Sequence, residues 1–182
     1  MKKFYLVIIF ILLTNAALAS EKNKIIDNLY KINNLSFNFE QNINGKSETG
    51  NCTLQYPKKI FCKYNLKNKK ILVSNGKSLV IKTISSYYNY PLEKTPLNLI
   101  LDKNYLLNKI KKMDISSTES NFISFKFSEK DNIINVFFDR ENYYLIGWQT
   151  TDIYQNLSTT YLSSITLNQK IKKKIFNLPS QN

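Results

Sequence analysis

Leu35-Ser36-Phe37-Asn38-Phe39-Glu40-Gln41 decides the architecture. Leu35, Phe37 and Phe39 alternate with Ser36, Asn38 and Glu40, a period of two that makes a strand buried on one face. Asn44-Gly45 follows, a dipeptide that tolerates positive φ at both positions and so predicts a tight hairpin. The return strand runs through Cys52 to Gln55. Tyr56-Pro57-Lys58-Lys59 then reads as a second turn, with Ile60–Tyr64 as the strand beyond it. A second Asn-Gly, at residues 75 and 76, joins Ile71–Ser74 to Lys77–Ile84. Further runs lie at Asp114–Ser120, Phe122–Ser128, Ile133–Asp139, Tyr143–Thr151 and Tyr154–Thr166. About ten or eleven short strands at this spacing predict an antiparallel barrel or sandwich.

Two segments depart from that rhythm. Upstream, Ile25, Leu29 and Ile32 recur at helical spacing with Ile26 and Tyr30 beside them, which predicts a helix over Ser20–Asn33. In mid-chain, Thr95-Pro96 supplies a cap residue and a first-turn proline ahead of Leu97, Leu99, Ile100 and Leu101. Tyr105, Leu106, Leu107 and Ile110 extend this as a second short helix over Lys103–Lys112. Both pieces are too apolar to stand in water, and the sheet is the surface available to cover them.

Residues 1–19 read as an export signal removed from the mature chain. Lys2 and Lys3 precede an apolar run over Phe4–Leu13, and Ala17-Leu18-Ala19 is a small-x-small cleavage site. That run is about half of the roughly 20 residues a membrane-spanning helix requires. Cleavage leaves one domain over residues 20–182 in a compartment outside the cytoplasm. Cys52 and Cys62 flank the Pro57 turn and face each other if the hairpin is centred there. In an oxidising compartment they are expected to pair, with two buried thiols as the alternative.

Composition removes several classes of function. The chain has 182 residues, a net charge of +13 and no histidine. Ser-His-Asp and Cys-His catalysis are excluded, as is any zinc site that needs an imidazole. The carboxylates are scattered at strand ends, and no metal, cofactor or enzymatic activity is expected. Asn-Gly-Lys-Ser at 44–47 and 75–78 ends like a phosphate-binding loop, but the required upstream glycine is Glu40 in one copy and Ile71 in the other. Ser74-Asn75-Gly76-Lys77 spells a serine-lysine pair, yet brackets a turn instead of lying on a helix. Tyr87, Tyr88 and Tyr90 read as a short aromatic strand, with a stacking platform for sugars or bases as the functional alternative. The lysines at 67–70 and 170–174 read as solvated faces, or as contacts to an anionic membrane or acidic partner. An exported protein has no nucleic-acid partner to expect.

From Leu35 onward the order of motifs resembles the periplasmic lipoprotein carrier family, LolA. Phe39-Glu40-Gln41 resembles its first-strand Phe-x-Gln. Gly50, Leu54, Tyr56-Pro57 and Tyr64 follow its Gly-led strand, turn and aromatic strand. Val73-Ser74-Asn75-Gly76-Lys77 and Pro91-Leu92-Glu93-Lys94-Thr95-Pro96-Leu97 resemble two further segments, the second being the most specific. Gly147-Trp148 with Asp152, and Ile175-Phe176, complete a match that spans 20–178. The arginine that in the family precedes the turn proline and helps hold a helical lid closed is Tyr56 here; a tyrosine retains one hydrogen bond and no charge.

The resemblance implies a mainly β fold with some helix: an incomplete, half-open antiparallel barrel whose concave face is covered by short helices. It implies a monomeric periplasmic chaperone for acylated lipoproteins. An inner-membrane ABC transporter would load it, and an outer-membrane acceptor lipoprotein, or the outer membrane itself, would unload it. A carrier or sensor of another amphiphile, such as a glycolipid, is the alternative on the same fold. Leu29 and Ile32 of the first helix and Leu97, Ile100 and Leu101 of the second are the expected lid contacts. Leu54, Ile60, Tyr64, Leu72 and Leu79 are the expected cavity positions, with Tyr56 at the lid. Exported protein should begin at Ser20 on N-terminal sequencing, and its non-reduced mass should lack the two hydrogens of free Cys52 and Cys62 thiols.

Overall fold

The computed structural model describes residues 20–129, 132–151 and 156–181. The expected export signal and Asp152 lie outside them. Helix α1 covers residues 20–31. Strands β1 (Asn34–Ile43), β2 (Lys46–Gln55), β3 (Lys59–Tyr64), β4 (Ile71–Asn75), β5 (Ser78–Lys82) and β6 (Tyr87–Pro91) follow in a meander. A 3-10 turn at Leu92–Lys94 leads to α2 (Leu97–Leu101) and α3 (Lys103–Lys112). The meander resumes with β7 (Ser117–Thr118), β8 (Phe122–Glu129), β9 (Asn132–Asp139), β10 (Leu145–Thr151) and β11 (Leu157–Leu167), and a 3-10 turn at Lys173–Phe176 follows.

All eleven strands form one antiparallel sheet in the order β6-β5-β4-β3-β2-β1-β11-β10-β9-β8-β7. Every pair of neighbours is adjacent in sequence except β1 and β11, which join the two halves from Leu35 opposite Leu167 to Ile43 opposite Ser158. The free edges are β6 and β7, and the segment between them is the one that forms the short helices. The sheet is therefore an open barrel, and its gap falls where the alternating pattern stops.

The hairpins obey their turn chemistry. Asn44 and Gly45 both take positive φ, 50° and 80°, as a two-residue hairpin demands. At the second Asn-Gly only Gly76 does so, at 100°, while the Asn75 side chain accepts from the backbone N–H groups of Lys77 and Ser78. The sequence places a cap at Thr95, but α2 begins after Pro96, and the Thr95 hydroxyl instead donates back to the Leu92 carbonyl at 2.8 Å. The strand expected over Asp114–Ser120 shrinks to the two residues of β7, an edge strand whose only strand partner among the described residues is β8.

One face of the sheet is mainly apolar. Leu35, Phe37 and Phe39 of β1, Cys52 and Leu54 of β2, and Ile60, Cys62 and Tyr64 of β3 are all buried on it. Phe125, Val136 and Trp148 continue it across β8, β9 and β10. The helices cover this face with Ile25, Leu29 and Ile32 from α1, Ile100 and Leu101 from α2, and Leu106, Leu107 and Ile110 from α3, all in the same core. Cys52 and Cys62 are directly opposite, with Cα atoms 4.1 Å apart, and are joined by a disulfide. On the convex side the Lys173–Phe176 turn lies against β3 and β4, and Phe176, Val73 and Val80 are buried there.

Gly50 permits the closest packing on the concave face. It lies between Phe39 and Tyr64 in the register, and those rings meet edge to face over it, with centroids 4.9 Å apart. A Cβ at this position would sit 2.7 Å and 2.9 Å from Phe39 ring atoms and against the Lys63 carbonyl. Gly50→Ala should lower stability by about 1–3 kcal/mol through overpacking, read from chemical denaturation, with unchanged oxidation of the cysteines.

Candidate functional site

The α1 and α3 helices lie side by side and antiparallel, pinned by two lysines. Lys22 Nζ donates to the Met113 carbonyl at 2.6 Å, near the start of α1 and the end of α3. At the other end Lys103 Nζ donates to the carbonyls of Ile32 at 2.9 Å and Tyr30 at 3.2 Å, the last orphan acceptors of α1. Asp102 caps α3 by accepting from Tyr105 N at 3.0 Å. It also faces Lys58 Nζ at 3.2 Å, and the Lys58 N–H donates to the Leu101 carbonyl at 2.9 Å. The β2–β3 turn thus grips the α2–α3 junction with one backbone bond and one ion pair.

Tyr56 is not the donor in that grip. Its ring is buried beneath Lys103 Nζ, 5.7 Å from the centroid, and its phenol oxygen has no hydrogen-bond partner among the described residues. Burial pushes the Tyr56 phenol well above the usual tyrosine range, so it stays neutral. The cationic contact to the helices comes from Lys58, two residues later.

Beyond α2 the helices no longer fill the concavity, and a cavity of about 280 Å³ remains. Its apolar wall is Leu72, Leu79, Ile81, Leu97 and Trp148, with Ile43 at the rim. Tyr88 and Tyr90 form its open side from edge strand β6, their rings parallel within 11° at 6.4 Å. Opposite them runs a polar strip. Tyr64 Oη donates to Gln41 Oε1 at 3.2 Å, and Gln41 Nε2 donates to Ser158 Oγ at 3.0 Å and Thr160 Oγ1 at 3.3 Å. Lys70 Nζ lies 4.1 Å over the Tyr64 ring and pairs with Glu48. Burial first, and the Glu48 charge second, push the Tyr64 phenol well above its usual range. The polar groups are therefore mutually satisfied, and the Lys70 ammonium in the wall is neutralised by Glu48.

Of the residues singled out in the sequence, Tyr64, Leu72, Leu79 and Leu97 come together around the cavity. Leu29, Ile32, Leu54, Ile60, Ile100 and Leu101 are packed into the core on the same side of the sheet, nearer the helices, and Tyr56 lies with them. The sequence missed Ile81, Trp148, Gln41, Thr150 and Ser158 as cavity residues. Ile81 and Trp148 were visible through their alternation with Val80 and Gly147. Gly147 faces the other way, beneath Phe137 and Tyr161, which forces Trp148 inward. Among the described residues no group of three or more His, Cys, Asp or Glu side chains could hold a metal, and no helix is long and apolar enough to cross a membrane.

A crystal structure of MucB superposes over 91% of this chain and 64% of its own at 9% identity, with a TM-score of 0.52. The MucA/MucB complex of Pseudomonas aeruginosa does so over 90% and 61% at 8% identity, with a TM-score of 0.50. A LolA superfamily protein from Nitrosomonas europaea aligns over 88% of this chain and 97% of its own at 7% identity, TM-score 0.43. No curated protein matches by sequence. The likenesses to MucB show a shared fold. Residues 30–179 match the family model described as outer membrane lipoprotein carrier protein LolA, a span that takes in the whole described sheet with α2 and α3 and only the end of α1, and the chain belongs to that family.

Proposed function

We propose that this protein is a periplasmic chaperone for acylated lipoproteins. It accepts them as an inner-membrane ABC transporter releases them, shields their acyl chains in the barrel, and passes them to an outer-membrane acceptor or to the outer membrane. The role is carriage, not catalysis, and the chain acts as a monomer. The observation that supports this best is an apolar cavity walled by Leu72, Leu79, Ile81, Leu97 and Trp148, inside a barrel half covered by short helices, in a chain of the LolA family.

The energetics suit the role. Each exposed methylene of a lipid anchor costs about 0.8 kcal/mol in water, so an anchor with several chains does not cross an aqueous compartment alone. An apolar cavity of about 150 Å³ holds a benzene ring. One of about 280 Å³ has room for a short length of one acyl chain. A multi-acyl anchor therefore needs the helices to move off the concave face. The α2–α3 junction is the place for that movement, because its polar tie to the sheet is one backbone bond and one partly exposed ion pair, Lys58 with Asp102.

The stacked Tyr88 and Tyr90, opposite the Gln41 and Ser158 strip, also favour a second reading, an amphiphile with a sugar-bearing head. Lipid mass spectrometry of material co-purifying with the exported protein separates the two. Acyl-glyceryl lipoprotein peptides support the first, and glycolipid in their place overturns it.

Leu72→Glu and Leu97→Glu should each weaken binding of a fluorescent fatty acid at least tenfold while the disulfide and far-UV spectrum stay unchanged, since both side chains are only partly buried at the wall. Ile100→Glu should instead unfold the protein, because a charge at that fully buried site has no partner. Asp102→Ala removes both the α3 cap and the ion pair. It should shorten the residence time of the bound probe in stopped-flow dissociation and cost about 1 kcal/mol of stability.

A further inference from the structure

The two ends of the barrel are built differently. The turns at residues 56–58 and 75–77, the turn at 139–144, Asn168 and the α2–α3 junction gather at one end. Asn168 Oδ1 accepts from Asn33 N and Lys103 caps α1 there, so that end is laced shut. The strand register puts the Asn44-Gly45 turn, the 65–70 loop, the 83–86 turn and the first residues of β9 and β11 at the other end. Contacts tie these loops into one rim. Asn44 Nδ2 donates to Asn156 Oδ1 at 2.7 Å, Ile84 N to the Asn68 carbonyl at 2.9 Å, and Asn65 Nδ2 to Thr49 Oγ1 at 3.2 Å. The cavity lies at this end, with Ile43, Lys70, Tyr88, Thr151 and Ser158 in its wall.

The rim carries an unusual pair of features together. Four of the six large apolar side chains left exposed among the described residues are here: Ile84 at 69%, Leu157 at 54%, Ile133 at 52% and Tyr88 at 46%. Lys46, Lys67 and Lys69 are exposed beside them, and Lys70 is paired with Glu48. An isoleucine at the tip of a four-residue turn contributes nothing to the core. These tips stand apart, on the β5–β6 turn and on β6, β9 and β11, and do not merge into the continuous patch a rigid protein partner would bury. Separate apolar tips between lysines suit a lipid surface, where the side chains enter the interface and the ammonium groups meet anionic headgroups.

We propose that this open end is a membrane-docking rim whose partner is an anionic phospholipid surface. Ile84, Tyr88, Ile133 and Leu157 enter the interface, and Lys46, Lys67 and Lys69 contact the headgroups. The inference rests on the reading of the cavity as an acyl-chain site. Docked this way, the cavity mouth meets the bilayer, and a chain moves between the two without an aqueous interval.

Flotation of the exported protein with phosphatidylcholine vesicles, with and without phosphatidylglycerol, tests the rim. The protein should float with the phosphatidylglycerol vesicles and detach as salt is raised. Lys67→Glu combined with Lys69→Glu should lower the bound fraction at least about tenfold. Ile84→Ser combined with Leu157→Ser should lower it several-fold and remove what survives at high salt. All four positions are solvent-exposed and outside the cavity wall, so fatty-acid binding in solution should not change in either variant. Absence of flotation overturns the proposal, as does flotation unaffected by both rim variants. Flotation lost through Lys24→Glu with Lys111→Glu, on the helical face, overturns it too. A protein that binds fatty acid but ignores vesicles keeps the carrier reading and loses the rim. One that docks through the rim but takes up no fatty acid keeps the rim and loses the carrier reading.

Discussion

An apolar concave sheet face must be covered, and that requirement organises this molecule. Eleven strands with Leu35, Phe37, Leu54, Ile60, Phe125 and Val136 on one side present more apolar surface than a monomer leaves in water. Closing the barrel edge to edge would hide it inside the sheet. The chain instead spends the segment between the free edges β6 and β7 on α2 and α3, and brings α1 alongside α3. Three short helices cover one end of the concavity and leave the other end open. The cavity is what this partial cover leaves behind.

The lysines have uses that the net charge of +13 does not reveal. Lys22 and Lys103 bind helix carbonyls, Lys58 holds the α2–α3 junction, and Lys70 packs over Tyr64 while pairing with Glu48. Long side chains with a compact charge suit such work, since the stem lies along apolar surface and the ammonium group reaches an acceptor. Excess positive charge in this chain is partly structural cement for helices that are too short to be stable alone.

How far the fold could be read in advance varies along the chain. The alternation at Leu35–Phe39, the two Asn-Gly turns and the mid-chain apolar segment carried the architecture, because period and turn chemistry are local properties. The cavity was less legible. Leu54 and Leu79 share the concave face and a register line through Ile60 and Ser74, yet Leu54 is core and Leu79 is wall. Which of them a helix covers depends on where α2 ends in space, a property no strand pattern encodes. Gln41, Thr150 and Ser158 were harder still, because polar residues in an alternating strand read as solvent-facing. Only the complete register shows that they face inward, where Gln41 donates to Ser158 and the Thr150 hydroxyl turns to the Thr151 carbonyl.

The β1–β11 ladder has a consequence for how the chain is made. β1 pairs with β2 as soon as the hairpin is synthesised, but its other edge has to wait for residues 157–167. Until then Leu35, Phe37 and Phe39 belong to a half-sheet with a raw backbone edge in what will become its centre, and the second half has a matching one. Long-range pairing of this kind is slow to form and prone to joining the wrong chain in the meantime. Strand β11 is thus also the seal of the middle of the sheet, and a chain that stops short of Leu157 leaves both halves with an edge to aggregate through.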